Sequence, residues 1–209
     1  MAYPIGKYII VPFFNLWLKQ ISGIENLPPD AFIIAANHSS YMDHPLIVGN
    51  IVKHKNRKVH FLSKKEHFDT TLKAIWHRYA GAIPLDRQRG GKLALKKAVK
   101  ILKEGKIIAI HPEGTRSLDG KLMRAKTGIA RLSLAAKVPV VPVGLIGTFE
   151  ILPKGKYIPR MKRAIIHIGK PMYFGKYYRK PVTKRLLREI TTKIMKEIAK
   201  LSNKKYEFD

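Results

Sequence analysis

Residues 31–43 read AFIIAANHSSYMD, and this stretch decides the fold. The apolar run Ala31–Ala36 has no polar alternation and is too short for a helix. It reads as a strand covered on both faces, the kind found in parallel sheets. Asn37 to Met42 are polar and turn-prone, and a helical pattern starts at Asp43 and continues to Ile51. A buried strand that leads through a short polar loop into a helix is half of a parallel crossover unit.

The same alternation extends outward. Further apolar runs read as strands at Val59–Leu62, Gly81–Pro84, Lys106–Ile110, Val140–Leu145 and Ala164–Ile168. Helical patterns fill the intervals at Lys65–Tyr79, Gly91–Lys103 and Ala125–Ala136, and a last one covers Thr183–Leu201. In Lys65–Tyr79 the residues Phe68, Leu72, Ile75, Trp76 and Tyr79 share one face. The pattern predicts the α/β class: a single domain with a mainly parallel mixed sheet flanked by helices. Sites in such sheets lie beyond the carboxyl ends of the strands. Pro153–Arg163 and Tyr173–Pro181 read as surface loops, the second able to touch a membrane or an acidic partner.

Composition narrows the function. The chain has 209 residues with 45% hydrophobic content, enough for a full core and too apolar for a disordered basic tail. It has no cysteine, which removes disulfides, thiolate metal sites and a cysteine nucleophile. The formal net charge is +27, and all of the excess lies beyond residue 50, because Lys7 and Lys19 are outnumbered by Glu25, Asp30 and Asp43 before that point. Such a field attracts anions: nucleic acid, anionic lipid, phosphorylated small molecules or an acidic carrier protein. Residues 1–24 read as an N-terminal apolar segment ahead of a domain at 25–209. Ile5–Leu18 is too short to span a bilayer, which needs roughly 17–25 apolar residues. It reads as a helix that packs on the core or lies in a membrane interface.

Three loops carry chemistry. In the first, Asn37-His38-Ser39-Ser40-Tyr41-Met42-Asp43, His38 leaves a strand end and Asp43 follows five residues later. A carboxylate on one ring nitrogen orients an imidazole and leaves the other nitrogen free to take a proton. The plain structural alternative makes Asp43 a helix N-cap before Pro45. In the second, His111-Pro112-Glu113-Gly114-Thr115-Arg116-Ser117, Arg116 offers a planar fork suited to phosphate and Thr115 a hydroxyl. The alternative is a turn with a surface arginine. In the third, Gly81–Arg87, a short strand ends in Asp86-Arg87, a second cation or an ordinary ion pair.

Together these blocks resemble the 1-acylglycerol-3-phosphate acyltransferases, the phospholipid-synthesis family. Asn37, His38 and Asp43 resemble its Asn-His-x-x-x-x-Asp motif, Gly81–Arg87 its Gly-x-x-x-x-Asp-Arg block, and Pro112–Arg116 its Pro-Glu-Gly-Thr-Arg block. Val138–Val143 is similar to its proline-containing apolar strand, and Lys64-Lys65-Glu66 to its basic Lys-Glu segment. Order and spacing agree over about Ala31–Thr148. The chain departs from the pattern at His111, where an aromatic or aliphatic residue is usual, and at His67, where leucine is. Pro84-Leu85 also stands where a bulkier pair is common.

The resemblance implies that His38, held by Asp43, deprotonates the free hydroxyl of 1-acyl-glycerol-3-phosphate. The oxygen then attacks an acyl-carrier-protein or acyl-CoA thioester, giving phosphatidic acid without an acyl-enzyme. It implies that Arg87, Glu113, Gly114, Thr115 and Arg116, with Lys65, hold the acceptor's phosphate. No cofactor or metal is implied, and the place of action is the cytoplasmic face of the membrane, at an anionic surface. A different acceptor, such as glycerol-3-phosphate or another lysolipid, fits the same blocks. A nucleic-acid binder fits the charge alone; no binding motif supports it, and the expectation is that none is bound.

Overall fold

The computed structural model describes residues 6–86 and 91–208. Among them, seven strands form one sheet: β1 (Leu18–Ser22), β2 (Ile33–Ala36), β3 (Val59–Lys64), β4 (Ala82–Leu85), β5 (Ile107–Ile110), β6 (Val140–Ile146) and β7 (Ala164–Ile168). Their order is β1-β7-β6-β2-β5-β3-β4. Every neighbouring pair is parallel except β6 and β7. The α/β class and the mainly parallel mixed sheet follow as expected.

The helices are α1 (Val11–Asn15), α2 (Asp43–Lys55), α3 (Thr71–Tyr79), α4 (Lys92–Lys103), α5 (Gly128–Ala136), α6 (Thr148–Ile151) and α7 (Lys184–Leu201). Strand β2 feeds both layers of core, because successive side chains point to opposite faces. Ile33 and Ala35 pack with α4, α5 and α7, while Phe32, Ile34 and Ala36 pack with α2. Each fully enclosed isoleucine there contributes about 1.5–3 kcal/mol by burial.

Four expectations change. The six anticipated strands are joined by β1, whose LKQIS sequence shows no buried run. It is an edge strand, paired only with β7, so one side of its backbone and half of its side chains stay wet. The segment 1–24 therefore supplies part of the domain's own sheet. The anticipated helix from Ile5 to Leu18 is a π-helical turn at Gly6–Ile10 followed by the short α1, because the chain must turn to enter β1. Helix α1 lies close on α2: a Cβ at Gly49 would come 2.9 Å from a Val11 methyl carbon.

The helix anticipated at Lys65–Tyr79 is divided. A 3₁₀ turn covers Lys65–Phe68, and the Thr70 side chain then accepts the Lys73 N–H to start α3. Leu72, Ile75, Trp76 and Tyr79 do share a face, but it is exposed to solvent rather than packed on the core. In the loop 173–181, Phe174 and Tyr177 are buried against α7 residues, so only part of that aromatic cluster is free to meet a partner. The Tyr177 hydroxyl donates to Glu189 at 2.8 Å and accepts from Lys193 at 2.9 Å.

Candidate active site

The carboxyl ends of β2, β5 and β3 are neighbours in the sheet, which brings the loops after them together. His38 stands in the first of these loops. Its Nδ1 donates to Oδ2 of Asp43 at 2.9 Å, with the aspartate side chain 0% exposed and the histidine 19%. Asp43 is the first residue of α2, and its carboxylate turns back rather than capping the helix; Met42 occupies the cap position. The same Oδ2 accepts the backbone N–H groups of Ser39 and Ser40, both at 2.7 Å. Burial disfavours the charged carboxylate. The hydrogen bond from His38 and its charge coupling to that ring outweigh burial and hold its pKa below the ordinary value. Asp43 is thus an ionised, fixed acceptor that orients the imidazole.

The backbone around His38 is held on several sides. The Asn37 side chain, buried, gives its N–H to the Leu145 carbonyl at 3.1 Å and accepts the Leu145 N–H at 2.8 Å, tying the end of β2 to β6. The His38 N–H donates to Glu113 at 2.7 Å, and the His38 carbonyl accepts the Ser117 N–H at 2.8 Å. Glu113 also accepts the Met123 N–H at 2.8 Å. Burial pushes the Glu113 pKa up to about 7, against the pull of those two N–H donors. Glu113 therefore lies beneath the site, joining loops. It is not on the cavity wall where a phosphate could reach it.

Two further histidines flank the dyad. The His111 ring is stacked on that of His38, with centroids 3.9 Å apart. Burial, with the nearby His38 charge, lowers its pKa to about 3. His44 lies against Phe61, and burial lowers its pKa to about 4. Both are neutral near pH 7.

A cavity of about 530 Å³ opens beside His38. Lys64, Thr115, Arg116, Lys154, His67 and His77 are among the residues that line it. The Arg116 guanidinium lies 3.6 Å from the centre of the Tyr41 ring, a cation–π contact that fixes its position. Gly114 also lines the cavity. It takes φ +75°, which only glycine adopts without strain, and its N–H closes the turn on His111. The lining also includes the apolar side chains of Ile10, Val11, Val48, Val52, Phe61, Leu62 and Trp76, together with Ser40, Ser63, His44 and His111.

Several expected positions come together, and others do not. His38, Asp43, Thr115 and Arg116 converge, with Gly114 at their side. Lys65 points to Asp86 at 3.5 Å, and its neighbour Lys64 faces the cavity instead. Lys64 is the last residue of β3 and Lys65 the first of the 3₁₀ turn that follows. Arg87 lies outside the described residues. Ser39 is buried, and Ser40 donates its hydroxyl to the Leu152 carbonyl, so neither is set up as a nucleophile. The apolar groove was not assigned from sequence. Its signal was α2, where Leu46, Ile47, Val48, Ile51 and Val52 cover more of the circumference than one core face requires.

Residues 19–146 match the family model described as Acyltransferase. The chain is 34% identical over 182 residues to the 1-acyl-sn-glycerol-3-phosphate acyltransferase of Bacillus subtilis, covering 86% of each protein. It is 33% identical over 174 residues to the chloroplastic 1-acyl-sn-glycerol-3-phosphate acyltransferase BAT2 of Brassica napus, covering 80% of this chain and 48% of that one. The crystal structure of the 1-acyl-sn-glycerophosphate (LPA) acyltransferase PlsC from Thermotoga maritima aligns with a TM-score of 0.71 and 28% identity, over 95% of this chain and 80% of that one.

Proposed function

The chain belongs to the acyltransferase family, and on that premise we propose that it acylates the free hydroxyl of 1-acyl-sn-glycerol-3-phosphate, using an acyl thioester, to give phosphatidic acid. One observation carries the reading: a carboxylate-oriented imidazole lines a cavity whose walls carry both cationic side chains and apolar ones. A lysophosphatidate needs both, for its phosphate and its hydrocarbon chain.

His38 Nε2 takes the proton of the acceptor hydroxyl, and the oxygen forms its bond to the thioester carbonyl carbon. The tetrahedral intermediate collapses, the C–S bond breaks, and the thiolate leaves with the proton returned by the imidazolium. Asp43 stays ionised and steadies the imidazolium between the two transfers. Arg116, Thr115 and Lys64 receive the phosphate, and the apolar groove receives a hydrocarbon chain. The thioester is carried by coenzyme A or by an acyl carrier protein.

The protein works at a lipid surface in this reading. No helix among the described residues is long and apolar enough to cross a membrane. Helices α1 and α3 flank the cavity, and Phe13, Leu72, Ile75 and Trp76 are exposed on them. Apolar side chains beside abundant lysine suit the interface of an anionic bilayer, where each nearby cation adds about 1 kcal/mol.

The test is a transfer assay on purified protein with lysophosphatidate, glycerol-3-phosphate and other lysolipids, each with both thioester donors. Phosphatidate should form fastest from lysophosphatidate. His38→Ala should lower turnover by at least about 10²-fold. No transfer to lysophosphatidate with either donor, or undiminished turnover by His38→Ala, would sink the reading.

A further inference from the structure

The rings of His38 and His111 lie face to face, with centroids 3.9 Å apart and planes 9° from parallel. Simple filling of space would not need a second imidazole here. His111 Nδ1 is 3.1 Å from the Ala36 carbonyl oxygen and 3.1 Å from that of Asn37. Carbonyls only accept, so Nδ1 carries the ring proton and Nε2 is bare. That shared bond sets the orientation of the His111 ring. It also fastens the end of β5 to the two residues that immediately precede His38.

His38 needs such support. Among the described residues its ring has one side-chain hydrogen bond, from Nδ1 to Asp43. A single bond along one edge leaves the ring free to tilt about the bond. A flat partner against its face removes that freedom. We infer that His111 is a positioning residue, a tethered platform that holds the plane of His38 so that Nε2 stays aimed at the acceptor hydroxyl.

The inference rests on His38 as the base. The environment of His111 agrees with the role. Because burial keeps His111 neutral, it does not repel the imidazolium that forms on His38, and its π face meets that cation favourably. Proton transfer and attack both require alignment, and misplacement of about 1 Å can lower rates by about 10²-fold.

The experiment compares His111→Ala, His111→Phe and His111→Leu in steady-state kinetics and in ¹⁵N-imidazole NMR of His38. His111→Phe keeps a flat ring without the tether; the other two lose the ring. For His111→Ala, kcat should fall by roughly ten- to a hundredfold, with KM for acceptor and thioester changed less than about twofold. His111→Phe should recover most of kcat, and His111→Leu, similar in bulk, should not. This last pair keeps the test sharp if the alanine variant fails to fold. The His38 signals should stay sharp in the wild type and His111→Phe and broaden in the variants lacking a ring. An unchanged kcat in His111→Ala, a loss confined to KM, or a phenylalanine variant no better than leucine would overturn the platform. The NMR readout needs no turnover, and His38→Ala measured alongside reports separately on the base assignment.

Discussion

Glu113 accepts the backbone N–H of His38 at 2.7 Å, so the loop after β5 grips the peptide that carries the base. Its other oxygen accepts the Met123 N–H at 2.8 Å. Glu113→Gln keeps the shape but turns an amide NH₂ toward one of these donors. The expected cost is about 1–3 kcal/mol of stability, together with a fall in kcat. Because Glu113 has its pKa raised from 4.5 to about 7, the folded state holds its proton more tightly than the unfolded chain. That contribution is complete below about pH 4.5 and is lost as pH rises through 7. Urea denaturation of both proteins from pH 4.5 to 8 should show the wild type's advantage shrinking as pH rises. An effect restricted to acceptor KM would instead return Glu113 to phosphate binding.

The half-buried histidines act in the opposite direction. His44 and His111 titrate near 4 and 3 in the fold, against 6.5 unfolded. The unfolded chain therefore binds more protons between those values, and stability from these groups is lost as pH falls below about 6.5. Acid denaturation followed by circular dichroism should be shallower in His111→Phe than in the wild type. Equal acid sensitivity in the two proteins would mean that His111 is not held neutral.

The legible part of this molecule was what local pattern encodes. Uninterrupted apolar runs such as Ala31–Ala36 marked the buried strands, and the dyad was visible because His38 and Asp43 lie on one short turn. Edge strand β1 escaped notice because its partner, β7, begins at Ala164, and LKQIS carries no signal without it. The loop-joining place of Glu113 is not legible for a related reason: its partners His38 and Met123 come from other segments, and only folding brings their N–H groups to it. The groove is likewise shared among α1, α2, β3 and α3, so no single segment announces it.

Asp43→Asn tests the dyad directly. Asp43 Oδ2 accepts from His38, Ser39 and Ser40 at once, and one amide cannot satisfy the same donors in both orientations. Turnover should fall by roughly 10²–10⁴-fold, with substrate KM little changed. A variant with near-normal kcat would show that His38 needs no carboxylate.

Arg116 tests the phosphate end. Its guanidinium rests 3.6 Å from the centre of the Tyr41 ring, a contact worth about 0.5–1 kcal/mol where exposed. Arg116→Ala should raise acceptor KM about tenfold or more, since charge-assisted bonds to an anion are worth about 1.5–3 kcal/mol. Tyr41→Ala should raise it less, because the cation remains but is less well held. Arg116→Lys should restore little, having charge without the planar fork. A change in KM for the thioester alone would place Arg116 on the donor.

The exposed face of α3 tests the lipid surface. Leu72 is 79% exposed and Ile75 58%, so neither contributes much to the core. Leu72→Glu and Ile75→Glu should therefore leave thermal stability within about 0.5 kcal/mol of the wild type. In an anionic bilayer the same changes bury a repelled carboxylate where an apolar group belonged. Flotation with vesicles containing phosphatidylglycerol should show binding weakened severalfold in the double variant, and activity on vesicle-borne acceptor should fall with it. Activity on acceptor presented below its aggregation concentration should be unaffected. Undiminished flotation would move the contact away from α3 to the exposed residues of α1.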